Sequence, residues 1–241
     1  HFPDGEEFVQ ARADITSSDE LIAMFASRPL SFVPGSQWAY SNANYVLLGR
    51  IAERASGLTY AELVERYIAG PSARPGIVHE RLYSIIPQLA EPYYRSSDDR
   101  YSGLPYVSPT ARYAAGSIVA SADDMAQWLL SLLDESSAPS AIFTAMTQPV
   151  ISLPDGVAAK AQVPPQYAYG WFVGEQTYAG CTTNVIEHGG NILGYNARLR
   201  YLPEHNLIVS VASNTSRNIQ PVVDELTARY IDQQICRERA P

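Results

Sequence analysis

Residues 195–214 read YNARLRYLPEHNLIVSVASN, two strand-like runs separated by Pro203-Glu204-His205-Asn206. A proline followed by three polar residues supplies a turn, so 195–203 and 207–214 form an antiparallel hairpin. Upstream of it, YAYGWFVG (167–174) and a run ending at His188 read as further strands. Downstream, Pro221 stands near the start of a helix carrying Val222, Val223, Leu226, Tyr230 and Ile231 at helical spacing. The first 150 residues are punctuated as helices. Ser17 with Glu20 and Thr59 with Glu62 are capping boxes, and Ser121 with Asp124 caps a helix bearing Met125, Trp128, Leu129, Leu132 and Leu133. A further amphipathic helix runs from Asn44 to Ser56, with Tyr45, Leu48, Ile51, Ala52 and Ala55 recurring on one side and Gly57 as its stop.

Helices first, then a meander, then a covering helix gives an α/β (α+β) fold, an antiparallel sheet flanked by helices plus a helical region. The expected organisation is one domain over 1–241: a mostly helical region 1–150, with an irregular lid at 72–114, and the sheet with its C-terminal helix at 151–241. The lid is rich in Tyr, Pro, Ser and Gly. Its Tyr83, Tyr93, Tyr94, Tyr101 and Tyr106 are costly to leave in water, so it reads as an excursion around a cleft.

The 241 residues are 46% hydrophobic and 17% charged, an ordinary globular composition. A net charge of −8 leaves no basic face to track phosphates, so nucleic acid is not an expected partner. No apolar run is long enough to cross a bilayer. The chain begins at His1 with neither an initiator Met nor a signal peptide, as a processed or cut chain would. Cys181 and Cys236 suggest no metal or redox motif; they are either a pair or two free thiols. There is no Gly-x-Ser-x-Gly elbow, no His-Glu-x-x-His and no phosphate loop. His79 and His205 are isolated and read as surface residues. No cofactor or metal is implied.

Two stretches carry candidate chemistry. Tyr40-Ser41-Asn42 gathers a phenol, a hydroxyl and an amide at the mouth of the 44–56 helix. Ser41 or Asn42 caps that helix, or the trio lines a cleft. Glu187-His188-Gly189-Gly190-Asn191 ends a strand with two glycines, which make either a bare turn or a backbone edge that a ligand approaches closely, beside an imidazole that binds a carboxylate or moves a proton.

Tyr40-Ser41-Asn42, the run Ala115-Gly116-Ser117-Ile118-Val119-Ala120-Ser121-Ala122-Asp123-Asp124, Tyr169-Gly170-Trp171 and His188-Gly189-Gly190 occur in the order found in penicillin-recognising serine hydrolases. The chain resembles that β-lactamase-like group from about Ser31 to Ile231; class C β-lactamases, D-alanyl-D-alanine peptidases, D-aminopeptidases and family VIII esterases belong to it. The resemblance implies a β-lactamase/transpeptidase-like fold in which a Ser-x-x-Lys helix, a Tyr-x-Asn loop and a Lys-Thr-Gly or His-x-Gly strand meet at one cleft. It implies Tyr40 as the general base and acid, its phenol lowered from a pKa near 10 by a nearby cation. Asn42 then holds the substrate's acyl side chain, His188 stands in for the strand lysine, Gly189 and Gly190 leave substrate room against the strand, and the Asn191 backbone N–H supplies half of an oxyanion hole.

One departure is large. No Ser-x-x-Lys occurs, and the only lysine, Lys160, has Val157 three residues before it. The expected nucleophile therefore comes from an upstream segment or an N-terminal companion fragment, and the opening HFPDGEEF resembles the stretch just past it. A smaller departure puts Gly70-Pro71-Ser72-Ala73 in place of the family's Pro-Leu-Gly-Met. The implied activity is hydrolysis of a small-molecule ester, amide or D-amino-acid peptide through an acyl-enzyme, in a periplasmic or secreted protein; the alternative is a non-catalytic binding protein with the same fold.

Overall fold

Both capping boxes close as their spacing demands. Helix α1 (Ser18–Ala26) starts where Ser17 Oγ accepts the Glu20 N–H and the Glu20 carboxylate reaches back to the Ser17 N–H. Thr59 and Glu62 repeat the exchange at the head of α3 (Tyr60–Val64), which continues as a π-helical turn to Ala69. Between them lies α2 (Asn42–Ser56), stopped by Gly57. The structure, a computed structural model, describes residues 11–238 apart from 75, 82, 106, 135, 137 and 193, and leaves aside the side chains of 138 and 234–238. The opening HFPDGEEF, Tyr106 and the Cys236 side chain therefore lie outside the described residues, while Cys181 is a free thiol.

These helices belong to the first of two compact units, made of the chain up to Ala90 together with Pro105–Ser121. It also holds the two-residue strands β1 (Val78–His79) and β4 (Ile118–Val119), paired antiparallel. The intervening hairpin, β2 (Tyr93–Arg95) with β3 (Tyr101–Gly103), belongs to the second unit. The core of the first unit is Ile15, Leu21, Val46, Ala111 and Tyr113. Helix α2 buries Ala43, Val46 and Gly49, not the expected stripe: Leu48 is 54% and Ile51 60% exposed. Small size decides which side goes in. A Cβ at Gly49 would collide with the Ala114 Cβ and lie 2.8 Å from the Tyr113 ring, so the helix approaches by its glycine.

The second unit is 91–104 with 122–241. After α4 (Ala122–Leu133) and α5 (Ala138–Met146) come β5 (Ile151–Ser152), the short α6 (Val157–Ala161), β6 (Gln166–Tyr167), β7 (Phe172–Tyr178), β8 (Cys181–Ile192), β9 (Tyr195–Leu202), β10 (Leu207–Ser213) and α7 (Gln220–Glu238). The six strands form one antiparallel sheet in the order β10-β9-β8-β7-β6-β5. The 203–206 turn sits where the sequence puts it, with Leu202 facing Leu207. Two boundaries differ from expectation. Gly170, at φ 87°, breaks the 167–174 run into β6 and β7, a left-handed backbone that glycine adopts without a Cβ penalty. And β8 continues past His188 to Ile192.

Helices cover both faces of the sheet. Leu129 of α4 and Phe143 of α5 pack with Trp171, Val173 and Leu199 on one side, where the Trp128 and Trp171 rings stack at 6.5 Å. Ile231 of α7 packs with Tyr178, Val185 and Leu202 on the other. Each such fully buried aliphatic side chain contributes about 1.5–3 kcal/mol. Because α4 and α5 pack on the sheet, the division expected at 150/151 falls inside the second unit. The fold is the expected one, an antiparallel sheet flanked by helices with a separate helical region.

The Gly49 contact yields a prediction. Alanine is the better helix former by about 1 kcal/mol, but its methyl meets another Cβ that cannot rotate away, and overpacking costs about 1–3 kcal/mol. Gly49→Ala therefore lowers the urea midpoint of the chain; a raised midpoint would show that α2 does not rest on Tyr113 and Ala114.

Candidate active site

Tyr40 and Ser41 enter α2 on extended backbone, and Asn42 is the first helical residue. Ser41 takes the N-cap position without a side-chain capping bond, so the cap is not what brings these residues together. What holds them is the fixing of α2. Arg50 bridges Asp19 of α1 at 2.9 Å and Glu53 at 2.8 Å, and Glu53 accepts the Tyr60 N–H of α3 at 2.7 Å. Tyr40 is 39% exposed, and burial, then the neighbouring Tyr45, pushes its phenol above the ordinary value near 10. A phenol shifted that way is protonated at neutral pH.

Behind α2 the structure holds a cluster that sequence reading missed. His79 does not lie free on the surface. Its Nδ1 meets Ser117 Oγ at 2.7 Å, and its ring stands edge-on to Tyr60 at 5.1 Å. Burial lowers its pKa. The signal was present in Ser117 of the Gly116-Ser117 run, but no spacing rule pairs residues 38 positions apart.

In the second unit, β8 lies between β7 and β9; His188-Gly189-Gly190-Asn191 pair with β9, His188 opposite Leu199, while the pairing with β7 ends at Glu187. The Phe172 ring stacks on the imidazole at 5.3 Å. His188 Nδ1 lies 2.8 Å from the Gly189 carbonyl and Nε2 3.3 Å from the Tyr167 hydroxyl. A carbonyl only accepts, so Nδ1 carries the proton and Nε2 accepts from Tyr167. Burial lowers the His188 pKa, and the Arg198 charge adds to that. The residue expected to replace a lysine is thus a neutral imidazole near pH 7.

The two glycines differ. A Cβ at Gly189 would lie 3.0 Å from the Arg198 guanidinium carbon, whereas one at Gly190 would meet nothing within 4 Å. Gly189 serves the protein's own packing; Gly190 borders open space. Asn191 donates through Nδ2 to Asn196 Oδ1 at 2.9 Å, and buried Asn196 donates to the Thr215 carbonyl at 2.6 Å.

Strand alternation sends Glu187 to the face opposite His188. There its buried carboxylate takes Arg200 at 2.7 Å and Arg198 at 3.2 Å, and Arg200 continues to Asp224 and Thr227 of α7. Glu187 opens the candidate stretch, but its pairing with Arg198 and Arg200, and that of Arg200 with Asp224, was not foreseen from sequence. The structure therefore gathers Tyr40 with Asn42 in one unit and His188 with Gly189, Gly190 and Asn191 in the other.

The comparisons agree with this architecture. The sequence model of the β-lactamase family matches residues 1–233, and the chain belongs to that family. It is 27% identical over 222 residues to the human mitochondrial serine β-lactamase-like protein LACTB, an alignment spanning 84% of this chain and 39% of that protein. It is 24% identical over 188 residues to a D-aminopeptidase of Gluconobacter oxydans, covering 78% of this chain and 33% of the relative. Among solved structures, the penicillin-binding protein of Bacillus halodurans superposes with a TM-score of 0.77 at 22% identity, covering 90% of this chain and 64% of that one. The chain thus spans about two-fifths or less of these two curated relatives' length.

The depressed imidazoles set a pH dependence. His188 and His79 bind their protons at lower pH folded than unfolded. The unfolded chain then holds more protons below about pH 6.5, and stability falls as pH drops through that value towards the folded pKa values. His188→Gln is expected to flatten part of this loss in urea midpoints taken between pH 7.5 and 5. An unchanged slope would mean that His188 is not held neutral by burial.

Proposed function

We propose that this member of the β-lactamase family contributes the proton-shuttle loop and the substrate-binding strand of a serine hydrolase, with the nucleophilic serine supplied from a segment outside the chain. The observation that carries the reading is the β-lactamase family match over residues 1–233, with Tyr40 and Asn42 at the head of α2 and His188-Gly189-Gly190 on β8; the phenol of Tyr40 is raised. A general base near neutral pH needs a lowered pKa, and a tyrosine shifted upward by burial reaches it only beside a cation. Lys160 is exposed on the short α6, with Val157 where a serine would stand. A Ser-x-x-Lys segment would bring the missing cation and the missing nucleophile together, one helical turn apart.

Surfaces left open on both units support such a segment. On α2, Leu47, Leu48 and Ile51 are exposed. In the second unit β10 ends the sheet with no described strand along its outer side, and Val222 and Leu226 of α7 are half exposed. Unpaired strand edges are commonly covered in native proteins.

In this reading Tyr40 takes the serine proton as Oγ bonds to the substrate carbonyl carbon. The oxyanion is met by backbone N–H groups, that of Asn191 among them, and Tyr40 returns the proton to the leaving nitrogen or oxygen as its bond breaks. Water, deprotonated in the same way, then cleaves the acyl-enzyme to the acid and restores the serine. Asn42 orients the acyl group, and Gly190 leaves space for substrate beside β8. His188, neutral, supplies a hydrogen-bonding wall and not the positive charge that would hold a β-lactam carboxylate. That leans the substrate towards an ester, an amide or a D-amino-acid peptide.

Tyr40→Phe, made in the protein that carries the serine segment, is expected to lower kcat on an activated ester by about 10²–10⁴, with the circular dichroism spectrum and melting temperature retained. Parent-like turnover would remove the shuttle role from Tyr40. Ligand binding without turnover in the serine-bearing parent would transfer the chain to the class of binding proteins.

A further inference from the structure

Of the tyrosines expected to be sheltered in the lid, the described ones, Tyr83, Tyr93, Tyr94 and Tyr101, are exposed. Tyr93 is 40% and Tyr101 57% exposed. Both lie on the β2–β3 hairpin, whose register sets Arg95 against Tyr101 and Tyr93 against Gly103 and so places Tyr93, Arg95 and Tyr101 on one face. There the two rings meet edge-to-face at 6.4 Å, and the Arg95 guanidinium, paired with Asp99 at 2.8 Å, lies 5.6 Å from the Tyr101 centroid. Opposite Tyr93, a Cβ on Gly103 would meet nothing within 4 Å, which leaves a slot beside the ring. Aromatic surface exposed in a group marks an interaction site.

The hairpin is built onto the strand that carries Gly190 and Asn191. Tyr93 donates its N–H to Asn214 O at 2.9 Å and accepts from Ser216 N–H at 3.0 Å, while Arg95 N–H donates to Ser216 Oγ at 3.0 Å. The 214–216 loop is tied in turn to β8 through Thr215, Asn196 and Asn191. At the β8–β9 turn, Gly194 has φ 84°, and a Cβ there would lie 3.0 Å from both Pro92 Cβ and the Tyr93 nitrogen. Only a glycine lets the turn touch the hairpin. Gly194 is three positions on from Asn191, and the chain has turned back there, since Asn191 pairs with Asn196 and Ile192 with Tyr195.

We propose that the Tyr93–Arg95–Tyr101 face is a specificity surface of the same active site and receives an aromatic substituent of the substrate. The inference rests on the reading of β8 as the substrate-binding strand. A substrate ring enters beside Tyr93 over Gly103 and completes the edge-to-face set. Aromatic pairing of this kind corresponds to about 2–10-fold in affinity.

The test is calorimetric titration of the full chain with three ligands: N-acetyl-D-alaninamide, N-phenylacetyl-D-alaninamide and N-acetyl-D-alanine benzylamide. One of the two ring-bearing ligands is expected to bind about fivefold tighter than the first. Tyr93→Leu and Tyr101→Leu should each reduce that preference and leave the affinity for N-acetyl-D-alaninamide unchanged. In the parent chain, the preferred ligand should also shift the ring resonances of Tyr93 and Tyr101, which tests the site without any substitution. Equal affinity for all three ligands, or a preference that survives both substitutions with unmoved ring resonances, overturns the specificity surface and leaves the hydrolase reading standing. No binding of any of the three overturns both.

Discussion

One carboxylate organises the second unit. Glu187, buried in the middle of β8, holds Arg198 and Arg200 of β9, and Arg200 carries the connection to Asp224 and Thr227 of α7. A buried charge left without its partner costs several kcal/mol, so two strands and the covering helix are fixed together. The Arg200 guanidinium also lies 5.0 Å from the Tyr178 ring, which seals the network against the apolar cluster around Ile231. Because side chains alternate along a strand, anchoring Glu187 on the α7 face commits His188 to the other. Gly189 exists as glycine because Arg198 passes over it, and the open position falls to Gly190.

Burial then acts on the two titrating groups in opposite directions with one result. It raises the Tyr40 phenol and lowers the His188 imidazole, since a low-dielectric surrounding disfavours whichever form is charged. Both are neutral near pH 7. A neutral phenol does not take a proton from a serine hydroxyl unless a nearby cation lowers its pKa.

Much of this was legible in the sequence because it rests on local rules. The capping boxes at Ser17 and Thr59 and the 203–206 turn are satisfied within a few residues, and the motif order identified the family. What the sequence hid depends on contacts between distant positions. The side of α2 that turns inward is chosen by Gly49 against Tyr113 and Ala114, although Leu48 and Ile51 are the more apolar residues. His79 finds Ser117 across 38 positions, and the break at Gly170 follows from a left-handed backbone that no hydrophobic pattern records. The lid tyrosines were misjudged for a related reason. Their cost in water was counted, but their hairpin is held by backbone hydrogen bonds to 214–216 and needs no buried rings.

The most direct measurement is intact-mass spectrometry after exposure to a fluorophosphonate, which forms a covalent adduct with activated serines. It is made on the 26.4 kDa chain alone and on the same chain continued upstream through a Ser-x-x-Lys segment. The shorter protein should keep its mass, and the longer one should gain a single adduct on the serine of that segment. An adduct on the 26.4 kDa chain would place a competent nucleophile among its own residues and contradict the shared-site reading, as would a longer protein that stays unlabelled.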